Sequence, residues 1–207
     1  MAICRLRNPV QNYPWGSATV IPELLGMPGP HRTPVAELWL GAHPKAPSTV
    51  VSEEGERSLL EVLEADPSSI LGTDAVRRFG PRLPFLLKVL APEKALALQV
   101  HPTEKQAKDG FERETALGIR LDAPQRNYPD RSHKPELVCA LEPFACLAGF
   151  RRVLEVAGEL RSLQLRSIGG DVDRFTRSPG IGGMKRLFES ILSMEGEAKE
   201  RLIREVV

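Results

Sequence analysis

The sequence predicts a mainly β fold with α elements, strand-rich over residues 1–150 and helical over 151–207. Three observations predict it. Proline and glycine break residues 1–57 into short extended pieces. Apolar and polar residues alternate along 94–101. Beyond Arg151 the apolar residues Val153, Leu154, Val156, Leu160 and Leu163 recur at helical spacing.

The elements follow in order. Turns fall at Asn8-Pro9, Tyr13-Pro14, Pro28-Gly29-Pro30, His43-Pro44 and Ala46-Pro47. A helix is expected over 58–65, capped by Ser58, with Leu59, Leu60, Val62 and Leu63 as its apolar stripe and Pro67 marking its end. A shorter helix follows near Asp74. The run Leu83-Pro84-Phe85-Leu86-Leu87-Lys88-Val89-Leu90 reads as a strand buried on both faces. Residues 94–101 read as a second strand, with Leu96, Leu98 and Val100 on the core face and Ala95, Ala97, Gln99 and His101 on the other. Pro102-Thr103-Glu104 starts a polar helix, and 118–135 is a long loop carrying Pro124, Pro129 and Pro135. Strands are expected at 136–141 and 144–150, joined through Glu142-Pro143. In the helical part, Gly169-Gly170 and the flexible loop Gly180-Ile181-Gly182-Gly183 interrupt, and a last helix runs from about Met184 to the final residue.

Composition narrows the function classes. Of 207 residues, 42% are hydrophobic and 27% charged, which suits a folded globular chain. The formal net charge of +1, with both signs interspersed, gives no footprint for nucleic acid or a membrane surface. The N-terminal residues lack the apolar core of a secretory signal, and no run reaches the roughly 20 apolar residues of a membrane span. Cys4, Cys139 and Cys146 fit no disulfide framework and no zinc knuckle, so they read as free, buried thiols in a reducing cytoplasm.

Several side chains have the chemistry of a site. Gln99 and His101, two apart on a strand, point the same way, a common geometry for holding a metal. A single histidine at a strand end is more often an ordinary surface or core residue. Glu136 offers a carboxylate ligand, and Lys134, two residues before it, faces the same side in extended backbone. The competing reading is a solvated loop of mixed charge. Lys88 interrupts an apolar run, so it either faces a site or reaches water from a strand edge. Glu37 among apolar neighbours and Trp15 in a turn-rich segment suit the wall of a sugar pocket, although each is more often structural when seen singly. No dinucleotide fingerprint, phosphate loop or nucleophile elbow is present.

Taken together and in order, the segments Tyr13-Pro14-Trp15-Gly16, Ala36-Glu37-Leu38-Trp39-Leu40-Gly41-Ala42-His43-Pro44, Leu83 to Leu90, Gln99-Val100-His101-Pro102, Asn127-Tyr128-Pro129-Asp130, His133-Lys134-Pro135-Glu136 and Gly149-Phe150-Arg151 closely resemble the signatures of the type I mannose-6-phosphate isomerase family. The resemblance spans residue 5 to about 155. It implies an incomplete cupin-type jelly roll over 1–150, with a truncated helical domain over 151–207. It implies one zinc ion and the interconversion of mannose 6-phosphate and fructose 6-phosphate through a cis-enediol, a step in GDP-mannose biosynthesis. By motif, Gln99, His101 and Glu136 resemble metal ligands, Lys134 a catalytic residue, and Trp15, Glu37 and Lys88 substrate-binding residues.

Two departures stand out. Ala97 occupies a position that is serine in some members. The family's fourth ligand, a histidine, and its catalytic arginine lie in a C-terminal portion beyond the resemblance, and His31, His43 and His133 match no fourth-ligand motif. The alternative is therefore an inactive cupin fragment that binds sugar, zinc or a partner. The implied partner is a small sugar phosphate, with neither nucleic acid nor membrane, and the oligomeric state is left open.

Overall fold

The computed structural model describes residues 3–27, 29 and 32–207. Part of the turn expected at Pro28-Gly29-Pro30, together with His31, lies outside them. The chain divides into two compact units, Met1–Pro135 and Glu136–Val207.

The first unit runs β1 (Arg5–Arg7), β2 (Val10–Gln11), α1 (Val20–Leu24), β3 (Glu37–Leu40), β4 (Thr49–Ser52), β5 (Gly55–Ser58), α2 (Leu59–Ala65), α3 (Pro67–Leu71), α4 (Thr73–Phe79), β6 (Leu87–Leu90) and α5 (Glu104–Ala116). Its strands form two three-stranded antiparallel sheets, ordered β1-β4-β5 and β2-β3-β6. Strand pleating sends Leu38 and Leu40 to one face of β3, where Leu38 is buried with Ile21, Val35 and Ala91, and Leu40 and Val89 pack against them. Glu37 and Trp39 therefore share the opposite face.

Capping chemistry sets the helix starts. Ser58 Oγ accepts the Leu60 N–H at 3.2 Å, which opens α2 as expected. Asp66 ends α2 and caps α3, accepting the Ser69 N–H at 3.0 Å. Pro67 thus begins a further helix, because a proline at the first helical position gives up an N–H that has no partner there anyway. Helix α4 contains Asp74 where a short helix was expected. Thr103 and Gln106 form a reciprocal capping box at the start of α5.

The strand expectations are only partly met. Of 83–90, only Leu87–Leu90 is strand, and it lies at a sheet edge with Phe85, Leu87 and Leu90 exposed rather than buried on both faces. Residues 94–101, 136–141 and 144–150 form no strand. Alternation decides which side chains share a face, but a strand also needs a neighbour to take its N–H and C=O groups. No strand ladder is formed over these segments among the described residues, and Leu98, Val100, Leu137 and Leu147 are 75%, 88%, 96% and 88% exposed. Cys139 and Cys146 lie in these segments and Cys4 just before β1, so the three thiols are free but exposed rather than buried.

The second unit contains α6 (Val153–Leu163), α7 (Gly169–Arg177), α8 (Ile181–Leu192) and α9 (Gly196–Val206). Its core gathers Ala157, Leu165, Ile168, Val172, Phe175 and Leu187. The single last helix expected from Met184 is two helices, broken before Gly196, whose φ of +54° suits a residue without a side chain. Gly180 to Gly183 is not a flexible loop: Gly180 precedes α8, and Ile181, Gly182 and Gly183 form its first turn. A Cβ on Gly183 would stand 3.2 Å from the Phe175 ring, so its smallness lets α8 pack closely on α7. Among the described residues, no helix is long and apolar enough to cross a membrane.

Candidate functional site

The face of β3 turned away from the core carries a polar constellation. Lys88 of β6 is the register partner of Trp39, so it projects beside Trp39 and Glu37. Glu37 is 7% exposed. Its Oε2 accepts the indole N–H of Trp39 at 2.5 Å and lies 3.5 Å from Lys88 Nζ. The ammonium of Lys88 stands 5.2 Å from the Trp39 ring centre. A buried carboxylate is costly without partners, and these two charge-assisted contacts supply them. Lys88 lies on an edge strand and is exposed, as the strand-edge reading expects, while its ammonium also meets Glu37.

Trp15 joins through Tyr13, whose ring stacks on it at 5.6 Å. Burial, and then the negative charge of Glu37, raise the Tyr13 phenol above its ordinary pKa. The turn that carries these rings is pinned by Gly16. A Cβ there would meet the Ala36 backbone at 2.5 Å, so only glycine lets the turn lie against the chain just before β3.

A second group arrives on the 118–135 loop, which α5 holds down. Glu114 of α5 accepts the backbone N–H groups of Tyr128 at 2.9 Å and Asn127 at 3.2 Å. The Arg126 side chain, 1% exposed, donates to the carbonyls of Tyr128, Ile119 and Phe111 and to Thr115 Oγ1. Burial pushes the Glu114 carboxyl up, but its backbone and Asn127 hydrogen bonds and Arg126 outweigh this and hold it below the ordinary carboxylate value. The anchored loop presents Asp130, both of whose oxygens accept from Lys134 Nζ, at 3.0 and 2.9 Å. Burial again opposes ionisation of Asp130, while Lys134, the Ser132 N–H and the charge of His43 lower its pKa overall.

His43 lies where these groups converge. Its ring meets Trp39 edge-on at 4.8 Å, and its Nδ1 accepts the Lys45 backbone N–H at 3.2 Å. Burial lowers its pKa first, followed by Lys45, Lys88 and Lys134, with Asp130 opposing them.

The structure thus brings Glu37 and Lys88 into contact, sets Trp15 beside them through Tyr13, and pairs Lys134 with Asp130. Gln99 and His101 lie on the exposed non-strand segment of the first unit, and Glu136 is the first residue of the second. Among the described residues, no three His, Cys, Asp or Glu side chains group closely enough to hold a metal. The amide, imidazole and carboxylate of Gln99, His101 and Glu136 are nonetheless donor types that zinc accepts. Sequence reasoning missed Trp39, His43 and Asp130 as site residues. Trp39 was signalled by its alternation with Glu37, and the other two stood inside quoted segments without an apolar context to single them out.

Residues 3–153 match the family described as phosphomannose isomerase type I, catalytic domain. Mannose-6-phosphate isomerase of Escherichia coli (strain K12) is 44% identical over 200 residues, covering 96% of this chain and 50% of the relative. That of Saccharomyces cerevisiae is 36% identical over 179 residues, covering 81% and 39%. The solved mannose 6-phosphate isomerase of Salmonella typhimurium bound to substrate and zinc superposes with a TM-score of 0.85 at 41% identity, over 98% of this chain and 51% of that one. A zinc-bound holo mannose 6-phosphate isomerase gives 0.86 at 41% identity, with the same coverage. The chain belongs to the phosphomannose isomerase type I family, and it spans about half the length of the relatives it matches. Its fold class is that of these structures.

Proposed function

We propose that the chain carries part of the machinery of a zinc-dependent aldose–ketose isomerase that interconverts mannose 6-phosphate and fructose 6-phosphate. The observation that carries this reading is the meeting of Glu37 and Lys88 over Trp39 within the span matched by the catalytic domain. Gln99, His101 and Glu136 would hold the zinc ion, which when bound supplies positive charge to the substrate oxygens. Trp15 offers the sugar an aromatic plate. Glu37 accepts a hydroxyl hydrogen bond, and Lys88 orients the anionic substrate. Lys134 stabilises negative charge developing on the oxygens as a proton moves between the two carbons by way of a cis-enediol. Three free thiols fit the reducing cytoplasm, where such a sugar phosphate would feed GDP-mannose synthesis.

The exposure of Gln99 and His101 favours a second reading, a module that binds sugar phosphate without turnover. A coupled assay with mannose 6-phosphate, with and without added zinc, separates the two. Zinc-dependent turnover supports the isomerase. Saturable binding without turnover supports the module. Neither binding nor turnover overturns both.

A further inference from the structure

His43 has a role that the reading above leaves unassigned. Its Nδ1 accepts the Lys45 N–H, so the neutral ring must carry its proton on Nε2. Among the described residues, that Nε2 has no hydrogen-bond partner, and the ring is held edge-on by Trp39. The half-buried imidazole therefore presents a fixed N–H donor that the protein does not use.

The charges around it come from every neighbouring element. Lys45 lies on its own loop, Glu37 on β3, Lys88 on β6, and Asp130 and Lys134 on the 118–135 loop. Glu37 is occupied by Trp39 and Lys88, and Asp130 by Lys134. Three lysines against two carboxylates leave the cluster one positive charge in excess. A phosphate monoester is close to dianionic at neutral pH. Its arrival would reverse that excess, and one proton on His43 would restore balance while turning a neutral donor into a charge-assisted one.

We propose that His43 forms part of the anion-binding end of the site, with Lys45 and Lys88, and takes up a proton as the phosphate monoester of the substrate docks. This inference rests on the sugar-phosphate reading above and adds its phosphate-proximal group and a proton linkage. Burial first, and then the three lysines, disfavour the imidazolium and lower the His43 pKa, and a bound anion would offset the lysines. By reciprocity, whatever factor the bound anion adds to the proton affinity of His43, protonation adds to the affinity for the anion.

The test is an NMR titration of the His43 ring in the 207-residue chain, free and then saturated with mannose 6-phosphate, mannose or inorganic phosphate. Mannose 6-phosphate should raise the ring's proton affinity about tenfold, a shift typical of one close opposite charge. Mannose should leave it unchanged. An equal effect from inorganic phosphate assigns the coupling to the phosphate group alone; a smaller effect shows that the sugar is needed to place it. Calorimetry in two buffers of different ionisation enthalpy should register proton uptake on binding that is lost in His43→Asn. Mannose 6-phosphate binding that shifts other resonances but not the His43 titration would overturn this inference and leave the sugar-phosphate reading standing. Absence of binding at every resonance would overturn both.

Discussion

The indole N–H of Trp39 donates to Glu37 Oε2 from two positions along the same strand, at 2.5 Å. The contact keeps a buried carboxylate on the face of β3 that Lys88 also occupies. Trp39→Phe keeps an aromatic ring there and removes the donor, leaving Glu37 with Lys88 at 3.5 Å. The loss of one hydrogen bond to a charged group should cost about 1.5–3 kcal/mol. A lower denaturation midpoint with an unchanged slope is the expected reading. An unchanged midpoint would mean that water replaces the indole and that the pair contributes little to the fold.

Gly110 faces the ring of Tyr128, and a Cβ there would lie 2.5 Å from ring carbons. The ring is not free to yield, because its backbone N–H is bound by Glu114 and its carbonyl by Arg126. Gly110→Ala should therefore lift the 118–135 loop from α5 and destabilise the first unit by about 1–3 kcal/mol, a typical overpacking cost. Hydrogen exchange at Asn127 and Tyr128 should accelerate in the variant. Exchange as slow as in the parent would show that the ring turns aside without loosening the loop.

Glu114 makes the same anchoring sensitive to acid. Its folded pKa lies below the unfolded value of about 4.3, so its contribution is fully present above that value and is lost as pH falls through the folded pKa. Asp130 has the same sign. Stability should thus fall with decreasing pH below about pH 5, and Glu114→Gln should flatten that slope. Urea midpoints across this range in the two chains check it. Parallel slopes would assign the acid sensitivity to other carboxylates.

Much of this arrangement was legible in the sequence wherever local chemistry decides the outcome. Ser58 and Thr103 cap helices as their side chains dictate. The failures share one cause. Leu96, Leu98 and Val100 alternate as a strand should, yet strand formation depends on a neighbour that periodicity does not contain. The break before Gly196 within the expected last helix and the first turn of α8 likewise depend on packing within the second unit. Asp130 escaped notice because its placement depends on α5, which anchors its loop, and His43 because its charged neighbours Lys88, Asp130 and Lys134 lie far away along the chain.

The proposed ligands give a last prediction that separates holding a metal from acting on a sugar. Zinc binding measured by competition with a chelator should weaken at least about tenfold in His101→Ala and in Glu136→Ala, because an imidazole and a carboxylate supply most of the donor strength. Gln99→Ala should weaken it less, since a neutral amide oxygen is the poorer donor. Lys134→Met should leave zinc affinity unchanged, because an ammonium offers a cation no lone pair. If the chain turns over sugar phosphate, that variant should lower the rate while keeping the metal. Native zinc affinity in His101→Ala would remove that residue from the ligand set, and reduced affinity in Lys134→Met would mean that its pairing with Asp130 shapes the metal-binding segment rather than the chemistry.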